Sequence, residues 1–263
     1  MSTITFPAPD LSAKIDFCWS VTGHAATGAA FHELLPDSGV HLVVRLSSSG
    51  GRIVLLGPAT EKASVELDRG SEYFGIRFRT AQAPRLADVR ASELTNGYVE
   101  LTRMGGRTVD SVADQLRSLP DAASRQRLIE ELLRRAAPPL VGDRRCRVAA
   151  LLLETHGGSL RVDELARELG FHVRSLERTF RRELGVTPKR LIRLVRLRHV
   201  LGALHAGRFG TLAELAHAAG YSDQPHMIRD FRLLTGRAPG EKDAFRARPL
   251  VSAQTRIIHG RRR

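Results

Sequence analysis

The feature that most constrains the fold is a block that occurs twice in the C-terminal half of this 263-residue chain. The first copy runs Glu164-Leu165-Ala166, Gly170-Phe171, Arg178, Phe180-Arg181, Gly185 and Pro188. The second runs Glu214-Leu215-Ala216, Gly220-Tyr221, Arg229, Phe231-Arg232, Gly236 and Pro239. The copies stand fifty residues apart up to Gly170 and Gly220 and fifty-one apart beyond, so one residue is inserted in the turn. Two copies are too few to stack as a solenoid. Each instead has the layout of a short helix, a tight turn and a second helix.

The turn accounts for the spacing. Ala166 and Ala216 are small where the second helix must cross the first, and four residues later Gly170 and Gly220 can take positive φ without steric cost. Leu176, Phe180 and Leu184 lie four apart and share one buried face of the second helix, as Met227, Phe231 and Leu234 do in the other copy. Ser222 and Asp223 are capping candidates and Pro225 falls near the first turn, whereas His172 and Val173 make a poorer helix start.

The opposite face points to the partner. Arg174, Arg178 and Arg182 lie across the wheel from the first apolar stripe, and Arg229 and Arg232 across from the second, with His226 at the flank. An arginine fork can pair with guanine in the major groove. For Arg181, Arg182 and Arg232 a solvated face or a simple phosphate contact reads at least as well as base contact. Charge gives an independent indication: residues 1–140 hold 16 Lys/Arg and 16 Asp/Glu, so the net +13 of the chain lies entirely in residues 141–263. Such a half suits a polyanion, and duplex DNA gains by releasing condensed counterions. The helices carry no lipid-facing aromatic band, which disfavours a membrane surface.

On these motifs, together with Gly220-Tyr221-Ser222-Asp223-Gln224-Pro225-His226 and Gly236-Arg237-Ala238-Pro239, residues 144–247 resemble the DNA-binding domain of the AraC/XylS family of bacterial transcription regulators. The resemblance implies an all-α domain of seven helices, in which two helix-turn-helix units flank a long helix from about Pro188 to Leu204. In that helix Leu191, Leu194, Leu197 and Leu201 fit an apolar seam, with Lys189, Arg190, Arg193, Arg196 and Arg198 around it, some near phosphates. It further implies two reading helices entering successive major-groove segments about one helical turn apart. Carried over by position, the contact residues are Arg174, Glu177 and Arg178 in the first helix and Gln224, His226 and Arg229 in the second. Ser222, Arg182 and Arg232 complete the expected DNA-binding set. Glu177 has an alternative in pairing with Arg174 or Arg181 along the helix.

The first half reads as a β-rich domain closed by a helical pair, which makes the chain α+β. Apolar runs predict strands at Phe17 to Val21, Ala30 to Leu35, His41 to Leu46, Arg52 to Leu56, Ala63 to Leu67 and Tyr73 to Phe78. Turn-rich pieces such as Pro36-Asp37-Ser38-Gly39 separate them. Helices follow at about Val109 to Leu119 and Ser124 to Ala137. The expected division is a sensing and dimerisation domain at 1–137, a linker at 138–143, the DNA-binding domain at 144–247 and a basic, disordered tail at 248–263. Many family members carry a cupin-type β-barrel in this position, which supplies the fold analogy. The stretch from Leu34-Leu35-Pro36-Asp37 through Gly75-Ile76-Arg77-Phe78 also resembles a less-studied N-terminal domain that accompanies such modules.

Enzymatic readings are weak. His24, His32, Glu33 and His41 lack the His-x-His pattern of cupin metal sites, and adjacent His32 and Glu33 point to opposite faces of a strand. Arg77 and Arg79 share a strand face and suit either an anionic ligand or the sheet border. No catalytic elbow or phosphate loop occurs. Two cysteines, Cys18 and Cys146, are too few for a zinc site or the four-cysteine domain of the alkylation-repair regulators. Nothing near Met1 reads as a signal peptide, no apolar run reaches membrane-spanning length, and the expected location is the cytoplasm. The expectation is a non-enzymatic transcription regulator, more often an activator in its family, without cofactor or metal. Its partners are double-stranded DNA, a second copy of the chain, RNA polymerase and an unidentified small-molecule effector. The competing readings are a sequence-tolerant DNA-packing protein and an N-terminal cupin-type metalloenzyme fused to a DNA-binding module.

Overall fold

A computed structural model describes residues 2–22, 30–68, 70–101, 106–135, 138–239, 241 and 256–257. The first half is built on strands β1 (Ser2–Thr5), β2 (Ile15–Thr22), β3 (Ala30–Leu34), β4 (His41–Ser47), β5 (Gly50–Leu56), β6 (Ala63–Leu67), β7 (Glu72–Phe78) and β8 (Gly97–Glu100). Helices α1 (Gly106–Ser118) and α2 (Ala122–Arg134) follow. A larger sheet has the order β1-β2-β7-β4-β5-β8-β9, where β9 is the pair Arg256–Ile257, and β3 and β6 form a separate two-stranded sheet. All pairings are antiparallel except β8 with β9. The six strands read from apolar runs fall within a few residues of their expected limits; β1, β8 and β9 have no counterpart among those runs. His24 and most of the 248–263 tail lie outside the described residues.

Period-two alternation gives the larger sheet two apolar faces, because both are covered. Leu42, Val44 and Leu46 of β4 join Phe74, Ile76 and Phe78 of β7 and Ile53 and Leu55 of β5 in the main core. The other face carries Trp19, Val43 and Leu56, packed with Leu34 and Ala63 of the smaller sheet. Gly75 makes room for Trp19: a Cβ there would lie 2.1 Å from the indole ring.

The second half contains α3 (Arg144–Thr155), α4 (Val162–Glu168), α5 (Val173–Leu184), α6 (Pro188–Ala206), α7 (Leu212–Ala218) and α8 (Gln224–Thr235). The described residues thus show six helices where the resemblance implies seven, residues 242–255 being outside them. The main core does not stop at the end of the first half. It continues from Leu94, Leu116 and Ile129 through Leu140 to Leu153, Leu165, Leu176, Phe180 and Leu191. Each such fully buried side chain contributes about 1.5–3 kcal/mol. Leu197, Val200, Leu201, Leu215, Tyr221, Met227, Phe231 and Leu234 form a separate core in the second helix-turn-helix unit, to which the first half adds Leu35.

The segment expected to link the halves is held along its length. Arg85 N–H donates to the Pro138 carbonyl at 2.9 Å and Leu140 N–H to the Ala83 carbonyl at 2.8 Å. The Arg85 guanidinium donates to the Leu140 carbonyl at 3.1 Å, and the Arg147 guanidinium to the Val141 carbonyl at 2.8 Å.

Candidate nucleic-acid interface

Each copy of the repeated block forms one helix-turn-helix, and its letters have local causes. Glu164 and Glu214 accept hydrogen bonds from the backbone N–H of Arg161 and Thr211, both at 2.9 Å, closing the first turns of α4 and α7. Thr211 completes a reciprocal cap by accepting from Glu214 N–H at 3.1 Å. Ala166 and Ala216 are buried where the helices cross. Gly170 and Gly220 have φ of 66° and 77°, as the turns require. The following Phe171 and Tyr221 donate backbone hydrogen bonds to the carbonyls of Ala166 and Ala216 at 2.8 and 2.9 Å. The two turns are therefore built alike.

The reading helices start differently. Asp223 caps α8, accepting from His226 N–H at 2.6 Å. That bond, the Ser222 hydroxyl and the nearby Arg229 charge hold its carboxyl below the usual range, against a small burial effect. His172 caps α5 without a side-chain bond, as its poorer start signal predicts. The expected stripes are inside: Leu176, Phe180, Met227 and Phe231 are fully buried and Leu184 and Leu234 nearly so.

The opposite faces are open. Arg174 and Arg178 on α5 and Arg229 and Arg232 on α8 are exposed, and none of their side chains makes a hydrogen bond or ion pair with another described residue. Gln224 is half-buried at the first turn of α8. His226 packs edge-on against Tyr221 with ring centroids 5.3 Å apart, and its Nδ1 lies 3.0 Å from the Ser222 hydroxyl. Glu177 is drawn toward Arg181 at 3.6 Å, the intrahelical alternative. Arg182 is exposed but lies 2.9 Å from Glu183 and 3.6 Å from Asp143.

The arginines of α6, some of them expected near phosphates, have partners within the chain. Arg193 donates to Asp230 of α8 at 2.6 Å, and Tyr221 donates to the same carboxylate at 3.2 Å. Arg196 donates to the Gly158 carbonyl at 2.9 Å and lies over the Tyr221 ring. Arg190 donates to the Thr60 carbonyl, and Arg198 pairs with Asp16 and Glu154. Apolar stripes show which side of α6 is buried, but they do not reveal that these four cations have acceptors within the chain. Lys189 is exposed.

The first half gathers a second polar group. Arg77 is completely buried, with Nη2 2.6 Å from Asp37 Oδ1, Nε donating to Asp37 Oδ2 at 2.8 Å, and Nη1 3.1 Å from Asp16. His41 Nε2 stands 2.7 Å from Asp37. Burial opposes the Asp37 charge, yet the Arg77 guanidinium and the bonds from His41 and Arg77 hold its carboxyl well below the usual range. The anion that meets Arg77 is thus supplied by the chain. Asp37, in a turn-rich stretch between strands, is among the most buried polar residues described. Arg79 donates to the Ser12 carbonyl at 2.8 Å, and Glu33 pairs with Arg237 at 2.9 Å.

Two domain families match the chain: a helix-turn-helix domain over residues 165–244 and a domain of unknown function (DUF6597) over residues 4–100. The first spans both repeated units described above. Residues 165–244 therefore form a helix-turn-helix domain of the matched family. Among solved structures, the chain is similar to an AraC-type regulator from Chromobacterium violaceum. The identity is 28% over 40% of this chain and 94% of that one, with a TM-score of 0.36. The DNA-binding domain of AdpA, solved with a target DNA, is 23% identical over 37% of this chain and 87% of its own, TM-score 0.34. ToxT from Vibrio cholerae is 12% identical over 91% of this chain and 96% of its own, TM-score 0.42. No curated protein sequence matches the chain. Among its described residues no helix is long and apolar enough to cross a membrane, and no group of metal-ligating side chains is found.

Proposed function

We propose that α5 and α8 enter successive major-groove segments on one face of duplex DNA. Arg174, Arg178, Gln224, His226 and Arg229 would meet base edges, and Ser222, Arg182 and Arg232 the backbone. Glu177 divides its role between a cytosine amino group and Arg181. The observation that carries this reading is the contrast between arginines: the side chains of Arg174, Arg178, Arg229 and Arg232 on the outer faces of α5 and α8 lack acceptors among the described residues, while the arginines of α6 have them. A guanidinium already paired within the chain has little to offer a base.

Residues 1–137 are the proposed sensing and dimerisation half, joined through 138–143 to the reading half at 144–247, with 248–263 as a basic arm. The two facing sheets around Trp19, Val43 and Leu56 are the part we compare with a cupin-type sensor. Bound as a dimer in the cytoplasm, the regulator would act on RNA polymerase, with occupancy altered by a small-molecule effector. Selection of bound duplexes from a random library by the full-length protein at physiological salt tests the reading. Two short preferred blocks about one helical turn apart are expected. Tight, salt-sensitive binding with no preferred bases would refute it and favour a DNA-packing protein.

A further inference from the structure

Two reading helices on one polypeptide recognise two half-sites only if their separation is fixed. The most direct connection between the units is α6, which packs against both, supplemented by the approach of Ser159 to Gly220. The first half of the chain touches both units as well, at points distant in sequence.

On the first unit, Thr80 N–H and hydroxyl donate to Glu154 of α3 at 3.2 and 2.6 Å, and the Thr95 hydroxyl donates to the Leu184 carbonyl at the end of α5 at 2.9 Å. Space there is tight, since a Cβ on Gly185 would lie 2.1 Å from the Thr95 hydroxyl. On the second unit, Leu35 is buried in the core formed by Met227, Phe231 and Leu234, and Glu33 pairs with Arg237 just beyond α8. Between the units, Thr60 accepts from Arg190 and Asp16 pairs with Arg198, both arginines being on α6. At the meeting point Arg77 and Arg198 are shared among Asp16, Asp37 and Glu154. Glu154 Oε2 is buried without a hydrogen-bond partner, while Oε1 lies 3.6 Å from Arg77 and 3.8 Å from Arg198. All these contacts lie away from the outer faces of α5 and α8, which remain open.

From this arrangement we infer that the N-terminal half is a brace setting the distance between the two reading helices. Asp16, Glu154 and Arg198 are positioning residues for half-site spacing. The inference rests on the proposed reading for its consequence on DNA, but the brace can be measured without DNA. Spin labels at Arg181→Cys on α5 and Leu233→Cys on α8 occupy exposed positions, and the native Cys18 and Cys146 are buried. In the full-length protein the interspin distance should form one narrow distribution. Arg198→Gln should broaden or split it, and Arg198→Lys, which keeps the charge but not the fork, should restore it in part. A distribution unchanged by Arg198→Gln in a folded protein overturns the brace.

If Arg198→Gln fails to fold, Glu33→Gln breaks the more exposed tie to the second unit and should broaden the same distribution; no broadening there also overturns the idea. On DNA, the wild type should lose about tenfold in affinity when one base pair is inserted between half-sites. Arg198→Gln should lose only two- to threefold, while base changes within each half-site retain their effects. A general loss of stability would lower affinity on every spacing alike. A wild type indifferent to half-site bases but with a narrow distance distribution would refute the reading and leave the brace standing.

Discussion

Replacing Arg77 with methionine should expose how much of the fold depends on the buried ion cluster. The guanidinium is completely buried, and the side chains of its most buried partners, Asp37 and Glu154, are 3% and 2% exposed. Without Arg77 these carboxylates remain inside with their main counter-charge gone, a change that costs about 3–5 kcal/mol. For a chain of this size each kcal/mol moves Tm by about 2–4 °C, so a fall of roughly 6–20 °C is expected. Urea unfolding at pH 7 should show a lower midpoint in a single transition, because one core joins the first half to the first reading unit. The pH dependence gives a sharper criterion. In the wild type the Asp37 carboxyl is held well below its unfolded value, so its stabilisation is present above that value and is lost only as pH falls through the folded one. In Arg77→Met the buried carboxyl is shifted the other way, and the variant becomes less stable as pH rises through the usual carboxylate range near about 4. The deficit should therefore narrow progressively in acid. A deficit below about 1 kcal/mol, or one independent of pH between about 3 and 7, would refute the claim that Arg77 neutralises a buried charge.

Other outcomes follow from the same geometry. Arg174→Ala or Arg229→Ala should weaken binding to the selected site by about 1–3 kcal/mol and relax base preference there. Equal losses on random duplexes, measured by fluorescence anisotropy, would remove their base-reading role. Gly170→Ala meets only the strain of positive φ, with nothing near the added methyl group, whereas Gly220→Ala also drives it to 2.8 Å from the Ser159 backbone. Thermal denaturation should find Gly220→Ala the more damaging, and the reverse order would contradict the close approach of the two units. Burial pushes the thiols of Cys18 and Cys146 up to about 12, so neither should react with a thiol reagent at pH 8 until denaturant is added. Rapid labelling of the native protein would disprove their enclosure.

The reading units are largely legible in the sequence because the signals that build them are local. A buried stripe at helical spacing, a glycine in a turn and a capping aspartate act over a few residues, so Leu176, Phe180, Gly170 and Asp223 stand where the spacing places them. The repeated Glu164 and Glu214 belong to the same class, although the repeat alone does not disclose their capping role; the signal is a carboxylate three residues after each helix start. Short edge strands are not legible. Ser2–Thr5 has few apolar letters and owes its conformation to pairing with β2. The ion cluster is hidden for a stronger reason, since Asp37, Arg77 and Glu154 are separated by 40 and 77 residues and only folding brings them together. Pro36-Asp37-Ser38-Gly39 has the letters of an exposed turn, and composition does not distinguish a solvated aspartate from one enclosed by an arginine.

That limit bears on how a basic chain should be read. The +13 excess suggests a surface for a polyanion, but it treats every arginine as available. In α6 the cations at 190, 193, 196 and 198 are occupied by Thr60, Asp230, Gly158 and the Asp16–Glu154 pair. Partial burial lowers the proton affinity of Arg190 and Arg196, both of which are half-buried. Phosphate contacts by these residues would compete with their internal bonds. Among the described residues Arg174, Arg178, Arg229 and Arg232 on α5 and α8 are exposed without such side-chain bonds, as are Arg144, Lys189 and Arg208 elsewhere in the second half. Internal pairing thus sets the arginines of α6 apart from the exposed ones of α5 and α8, and under the proposed reading whatever holds those two faces at a fixed distance contributes to specificity as directly as the side chains proposed to touch the bases.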